Sequence, residues 1–233
     1  MGTRMRPFVY FLLVLIMTVQ PVLTTGMTVY AQENITVRQV KIAIFSDIHY
    51  VVDETRTGIG EAALQYSALT ESRMEQEIDT ILDVALEQAA KENPDVLLAC
   101  GDLLSNGEYA GGAALAGKLK KAKEMEGLQE TDIYVVNGNH DINNSYSVDF
   151  SKEEYWNAAR VQPDDFRTLY DGLGYGKNDS YNKDAALRRV YTPPAGELAG
   201  GLSYVTEIAD GITLIVLDTG IYHDKTAEHY SLA

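Results

Sequence analysis

A chain of 233 residues with 45% hydrophobic content is long enough to bury a core without disulfide staples, and its single cysteine can form no internal bridge. Its formal net charge of −15 argues against duplex nucleic acid as a partner, because such a surface repels phosphates.

The first residues differ in texture from the rest. Met1 to Arg6 is short and basic, Phe8 to Met17 is an unbroken apolar run, and Val29-Tyr30-Ala31 carries small or branched residues at the positions a signal peptidase reads. That order predicts a secretory signal peptide over residues 1–31, followed by a short linker over 32–39 and a domain over 40–233, in a secreted or periplasmic protein. The apolar run falls short of the ~20 residues a bilayer requires, so no stable membrane span is expected after cleavage. Cleavage removes two positive charges and leaves the mature chain at about −17.

From Val40 onward, strand-like and helix-like stretches alternate. Val40 to Phe45 reads as a strand. Residues 71–92 place Ile78, Ile81, Leu82, Ala85 and Ala89 on one helical face, and Pro94 closes that helix. Asp95 to Cys100 is again strand-like, with Cys100 reading as a small core residue. Residues 108–126 read as a helix, and Ile133 to Val136 as a third strand. This β-α-β-α-β order predicts parallel strands, and their fully apolar character predicts cover on both faces. Further on, helical pieces are expected over Lys152 to Arg160 and Pro163 to Tyr170, then a loop around 172–182. Two last strands, Leu202 to Ile208 and Ile212 to Leu217, flank a turn at Ala209-Asp210-Gly211.

Each of the three parallel strand candidates runs into polar residues able to hold a metal. The first is followed by Asp47 and His49, the second by Gly101-Asp102, and the third by Gly138-Asn139-His140-Asp141. Ligands bind at the carboxyl ends of strands in an open α/β sheet, so one sheet brings all three clusters together. At an extended strand end, Asp47 and His49 point to the same side, and a carboxylate with an imidazole suits Zn, Fe or Mn. Asp102 offers a carboxylate able to bridge two cations, and Asn139 a neutral carbonyl oxygen. His140 is placed to protonate a leaving oxygen, and Asp141 is counted with it among the catalytic candidates, although alone it also reads as a helix N-cap. Any one cluster is a weak signal; the three in order, each after an apolar run, are a strong one.

These blocks resemble the first three signature blocks of calcineurin-like metallophosphoesterases, over roughly residues 40–220, and the strand ending Leu217-Asp218-Thr219 is similar as well. The resemblance implies an α/β fold, a two-sheet sandwich flanked by helices. It implies two metal ions (Fe, Mn or Zn) that activate a hydroxide to hydrolyse a phosphodiester or phosphomonoester. By carry-over, Asp47 and His49 hold the first metal, Asp102 bridges, Asn139 binds the second, and His140 is the acid. Gly-Asp-Leu followed by Asn106-Gly107, with Gly-Asn-His-Asp-Ile, looks most like secreted bacterial cyclic-nucleotide phosphodiesterases, which makes a small phosphoester, cyclic nucleotides included, the expected partner. The family completes its site with later histidines, including a Gly-His-x-His block. His223 and His229 lie in no such block and read as loop residues. The chain is therefore expected to be truncated at its C-terminal side, and to bind metal weakly and turn over slowly by itself. The rival readings are a non-catalytic binding protein that keeps the fold with an incomplete metal site, and a metal-dependent nuclease, which the acidic charge disfavours. Triplets beginning at Asn34, Asn143 and Asn178 match glycosylation acceptors.

Overall fold

The structure is a computed structural model that describes residues 39–52, 74, 75, 77–149, 156–176 and 201–220. The expected signal peptide and most of the expected linker, His223, His229 and the triplets at Asn34 and Asn178 lie outside the described residues. Among the described residues, no helix is long and apolar enough to cross a membrane.

Three strands, β1 (Ile42–Ser46), β2 (Val96–Cys100) and β3 (Asp132–Val136), form a parallel sheet in chain order. Helices α1 (Ile78–Glu92) and α2 (Tyr109–Ala122) make the two crossovers. The register sets Ser46 beside Cys100 and Cys100 beside Val136, so all three strands end level. Leu97, Val96 and Ala99 of the central strand are fully buried, which is why an apolar run was stable there. Both-face cover holds for β2 and for the middle of β3 but not for β1. There, burial alternates between exposed and half-buried, and Ile44 is 64% exposed among the described residues.

The buried face of α1 is Ile78, Leu82, Leu86 and Ala89. Ile81, expected on that face, is exposed, and Leu86 takes the place beside Leu82. The helix stops at Asn93, whose left-handed φ of 47° and N–H bond to the Ala90 carbonyl close the last turn before Pro94. In α2 the buried stripe is Leu115, Ala116, Leu119 and Ala122.

The segment after Asp141 corrects one expectation. Of the helix expected over Lys152 to Arg160, residues 152–155 lie outside the described residues, and in the remainder Trp156–Asn157 form a short strand, β5, antiparallel to β4 (Val148–Asp149). The backbone beyond it is claimed from outside: Ala158 N–H reaches the Ser147 carbonyl, Tyr109 N–H the Ala159 carbonyl, and Val161 N–H the Gly107 carbonyl. With those groups paired across the chain, the described residues 156–161 are not helical. Helix α3 (Pro163–Leu169) follows as expected, its first turn set by Pro163 and by the Gln162 N–H bonded to Asp165 Oδ2 at 3.0 Å.

The last described strands, β6 (Tyr204–Ala209) and β7 (Ile212–Val216), make a separate antiparallel hairpin around Asp210-Gly211. It is tied to the parallel sheet by the Tyr204 hydroxyl, which donates to the Val135 carbonyl at 2.9 Å. The parallel and antiparallel sheets with their helices give the α/β sandwich anticipated from sequence.

Because β2 carries the sheet between its neighbours, truncating it opens a cavity that the surrounding strands cannot close. Leu97→Ala is expected to cost about 2–5 kcal/mol in urea unfolding; a loss below about 1 kcal/mol contradicts this account of the core.

Candidate active site

The level strand ends put three loops side by side, and backbone bonds carry the pairing past the strands. Asp47 N–H reaches the Gly101 carbonyl at 3.2 Å, His49 N–H the Asp102 carbonyl at 2.9 Å, and Tyr50 N–H the Leu103 carbonyl at 2.8 Å. Asp47 and His49 are not on extended backbone, as the sequence reading assumed. Their φ values are 54° and 49°, and Asp102 has φ 46°. Left-handed backbone at three non-glycine residues in one place is strain of about 1–3 kcal/mol each, held by the loop bonds just named. Ile48, between Asp47 and His49, is buried. One ligand atom from each of Asp47, His49 and Asp102 lies within 4.8 Å of the others, a spacing that can hold a metal ion.

The third loop folds onto Asp102. A Cβ on Gly138 would overlap the Asp102 backbone nitrogen and carboxylate, so only glycine permits this approach. The His140 N–H then donates to Asp102 Oδ1 at 2.9 Å. The His49 and His140 rings meet edge to face, their centroids 4.9 Å apart. His140 Nδ1 lies 2.6 Å from the Ser105 carbonyl oxygen. A carbonyl only accepts, so Nδ1 is the donor in this bond. Asn139, half-buried, sits on the same loop between Gly138 and His140.

Asp141, counted with the catalytic residues in the sequence reading, is fully buried and faces backbone instead. Its Oδ1 accepts the Leu104 N–H at 2.7 Å and its Oδ2 the Gly138 N–H at 2.6 Å. Burial pushes its carboxyl up to about 7, with the Asp102 charge adding to the rise and the backbone donors opposing it. Its geometry is that of a clamp between the second and third loops.

Sequence reasoning missed two further supports. Asp218, just past β7, accepts from Asn137 Nδ2 at 2.9 Å and from the Leu202 N–H at 3.1 Å, tying the hairpin to the third loop. Leu217-Asp218-Thr219 was singled out in the sequence, but nothing in one sequence pairs residues 81 apart. The second support is a pair of buried acids behind the second loop. Glu75 is 5% exposed and accepts from the Ser105 hydroxyl at 2.7 Å; Glu108 is 2% exposed and accepts the Asn106 N–H at 3.0 Å. Neither has a motif around it. The triplet at Asn143 lies here too, its first residue half-buried with its N–H on the Val161 carbonyl.

Burial pushes the Glu108 carboxyl up to about 7, helped by the charge of Glu75 and opposed by backbone donors that include Asn106. The folded chain therefore holds a proton on Glu108 between about pH 4.5 and 7 that the unfolded chain has released. Folding stability drains away as pH rises through that window, and the deficit is complete above it. Glu108→Gln keeps an acceptor without the charge. Its stability relative to the unmodified chain is expected to improve by up to about 3 kcal/mol between pH 4.5 and 7.5, read by urea unfolding. A difference that does not change with pH contradicts the assignment.

Comparison with known proteins agrees with this geometry. No curated protein matches the chain. The family model described as calcineurin-like phosphoesterase matches residues 40–224, which take in all three parallel strands, the loops beyond them and the β6–β7 hairpin. The chain belongs to the calcineurin-like phosphoesterase family.

Proposed function

We propose that the chain hydrolyses a small phosphoester at the three converging loops, with Asp47, His49, Asp102 and Asn139 as metal ligands and His140 as the acid that protonates the leaving oxygen. The observation that carries this reading is the convergence of Asp47, His49 and Asp102 within 4.8 Å, beside a histidine whose Nδ1 is already committed to a carbonyl. The donor set fits: two carboxylates and an imidazole suit Mn, Fe or Zn. A cation bound there supplies Lewis acidity toward a phosphoryl oxygen and makes a bound water more acidic.

The chain's own residues do the rest. The Asp47 and Asp102 carboxylates bring negative charge to the ligand cluster, and Asp102 also fixes the His140 backbone through its N–H. As the water oxygen bonds to phosphorus and the ester P–O bond breaks, the Nε2 proton of His140 passes to the departing oxygen, while the water proton leaves to solvent. Asp141 takes a positioning role, since its carboxylate holds the Leu104 and Gly138 N–H groups. The Gly-Asp-Leu and Gly-Asn-His-Asp-Ile patterns favour a phosphodiester, with cyclic nucleotides as the first candidates. The basic-apolar-cleavage order of residues 1–31 favours export.

The test is hydrolysis of a cyclic nucleotide by the full chain supplied with excess manganese, alongside metal content by mass spectrometry. His140→Ala is expected to lower turnover by roughly 10²–10⁴-fold while metal content holds. Parallel loss of metal makes His140 a ligand instead. Metal binding without any turnover in the unmodified chain transfers the case to a non-catalytic binding protein.

A further inference from the structure

Glu108 occupies the N-cap position of α2, yet its side chain makes no capping bond to that helix. It turns back two residues and accepts the Asn106 N–H. That N–H belongs to the same peptide unit as the Ser105 carbonyl, and the Ser105 carbonyl is the group that receives His140 Nδ1–H. In a planar trans peptide the N–H and C=O point in opposite directions, so fixing one end aims the other.

We propose that Glu108 is a positioning residue for the reaction, acting on His140 through the peptide unit between Ser105 and Asn106. The inference rests on the reading that His140 protonates the leaving oxygen.

The groups on either side of this peptide are hydrogen-bonded in their own right, and the orientation of the peptide between them is set by the Asn106 N–H bond to Glu108. Ser105 N–H is bound to the Tyr50 carbonyl at 3.0 Å and its hydroxyl to Glu75 Oε1 at 2.7 Å. On the far side, the Asn106 carbonyl accepts from the Ser147 hydroxyl at 2.5 Å. Ser105 and Asn106 are buried, so water offers no ready replacement if the Glu108 carboxylate is removed. An N–H stranded in that setting is costly, and the cheapest relief is rotation of the peptide toward another acceptor. Rotation carries the Ser105 carbonyl away from Nδ1 and frees the imidazole to turn. Two acids buried within this one small region are expensive to keep, and the Asn106 N–H is one of the backbone donors, with those of Glu108 itself and Val148, that hold the Glu108 carboxyl in place.

The experiment compares two phosphodiester substrates of the full chain with manganese, one releasing p-nitrophenol and one releasing phenol. An acidic leaving group needs little help from an acid, whereas phenol needs it. Glu108→Ala is expected to lose roughly tenfold or more on the phenyl substrate beyond its loss on the p-nitrophenyl one, with metal content unchanged. Glu108→Gln, which keeps an acceptor oxygen, should restore the ratio. Independent of turnover, the His140 ring Nδ1–H should give a slowly exchanging proton resonance in the unmodified chain and in Glu108→Gln, and lose it in Glu108→Ala. If Glu108→Ala does not fold, Glu108→Asp withdraws the carboxylate by one methylene and serves the same comparison. Equal loss on both substrates, or a protected Nδ1–H that survives in Glu108→Ala, overturns the inference. His140→Ala separates the two levels: if it discriminates between leaving groups and Glu108→Ala does not, only the role of Glu108 fails. If His140→Ala does not discriminate, the acid assignment fails and this inference with it.

Discussion

The Asp102 carboxylate sits where three loops must meet, and most of the site depends on what it accepts. Level strand ends bring Asp47, Gly101 and Asn137 alongside one another, but alignment alone leaves the third loop free to lie elsewhere. The His140 N–H bond to Asp102 Oδ1 pulls that loop down, and the missing side chain of Gly138 lets it come close enough. One carboxylate thus serves the candidate ligand cluster and also holds the backbone of His140, the acid proposed above. The strained φ values at Asp47, His49 and Asp102 fit this picture, since relaxing any of them would disperse the cluster.

Around that junction the chain relies on buried acids to an unusual degree. Asp141 bridges the second and third loops, Glu75 and Glu108 brace the second from behind, and Asp218 ties the hairpin to the third. Each carboxylate satisfies backbone or side-chain donors that the loops would otherwise leave unpaired. The cost appears in the raised pKa values of Asp141 and Glu108, both near 7, where desolvation outweighs the hydrogen bonds. A site assembled on loops needs this much polar scaffolding because its backbone has left the sheet ladder. The protein gives up some stability at neutral pH in return for fixed loops.

Much of this was legible in the sequence, and the parts that were not share a cause. Strands β1 to β3 and helices α1 and α2 announced themselves through apolar runs and a helical stripe, because the sheet interior and the helix faces set those patterns locally. The ligand cluster was readable because each member follows an apolar run. Misreadings came where distant chain segments decide the outcome. The stretch around Trp156 to Arg160 is helix-like by composition, yet its backbone is paired with Gly107, Tyr109 and Ser147. Ile44 looks like a core residue, but among the described residues it is 64% exposed on a strand at the edge of the sheet. Asp141 carries a signature position and nevertheless turns its carboxylate inward, and Glu75 and Glu108 have no local pattern at all. Their role exists only once residues 75, 105, 108 and 140 are adjacent.

The central claim is that Asp47, His49 and Asp102 form one metal-binding group. Calorimetric titration of the metal-stripped chain with manganese tests it most directly, comparing the unmodified chain with Asp47→Asn, His49→Ala and Asp102→Asn. The account predicts a saturable binding event that each substitution weakens by roughly tenfold or more, with the folded state retained by circular dichroism. Binding that is indifferent to all three substitutions would contradict it.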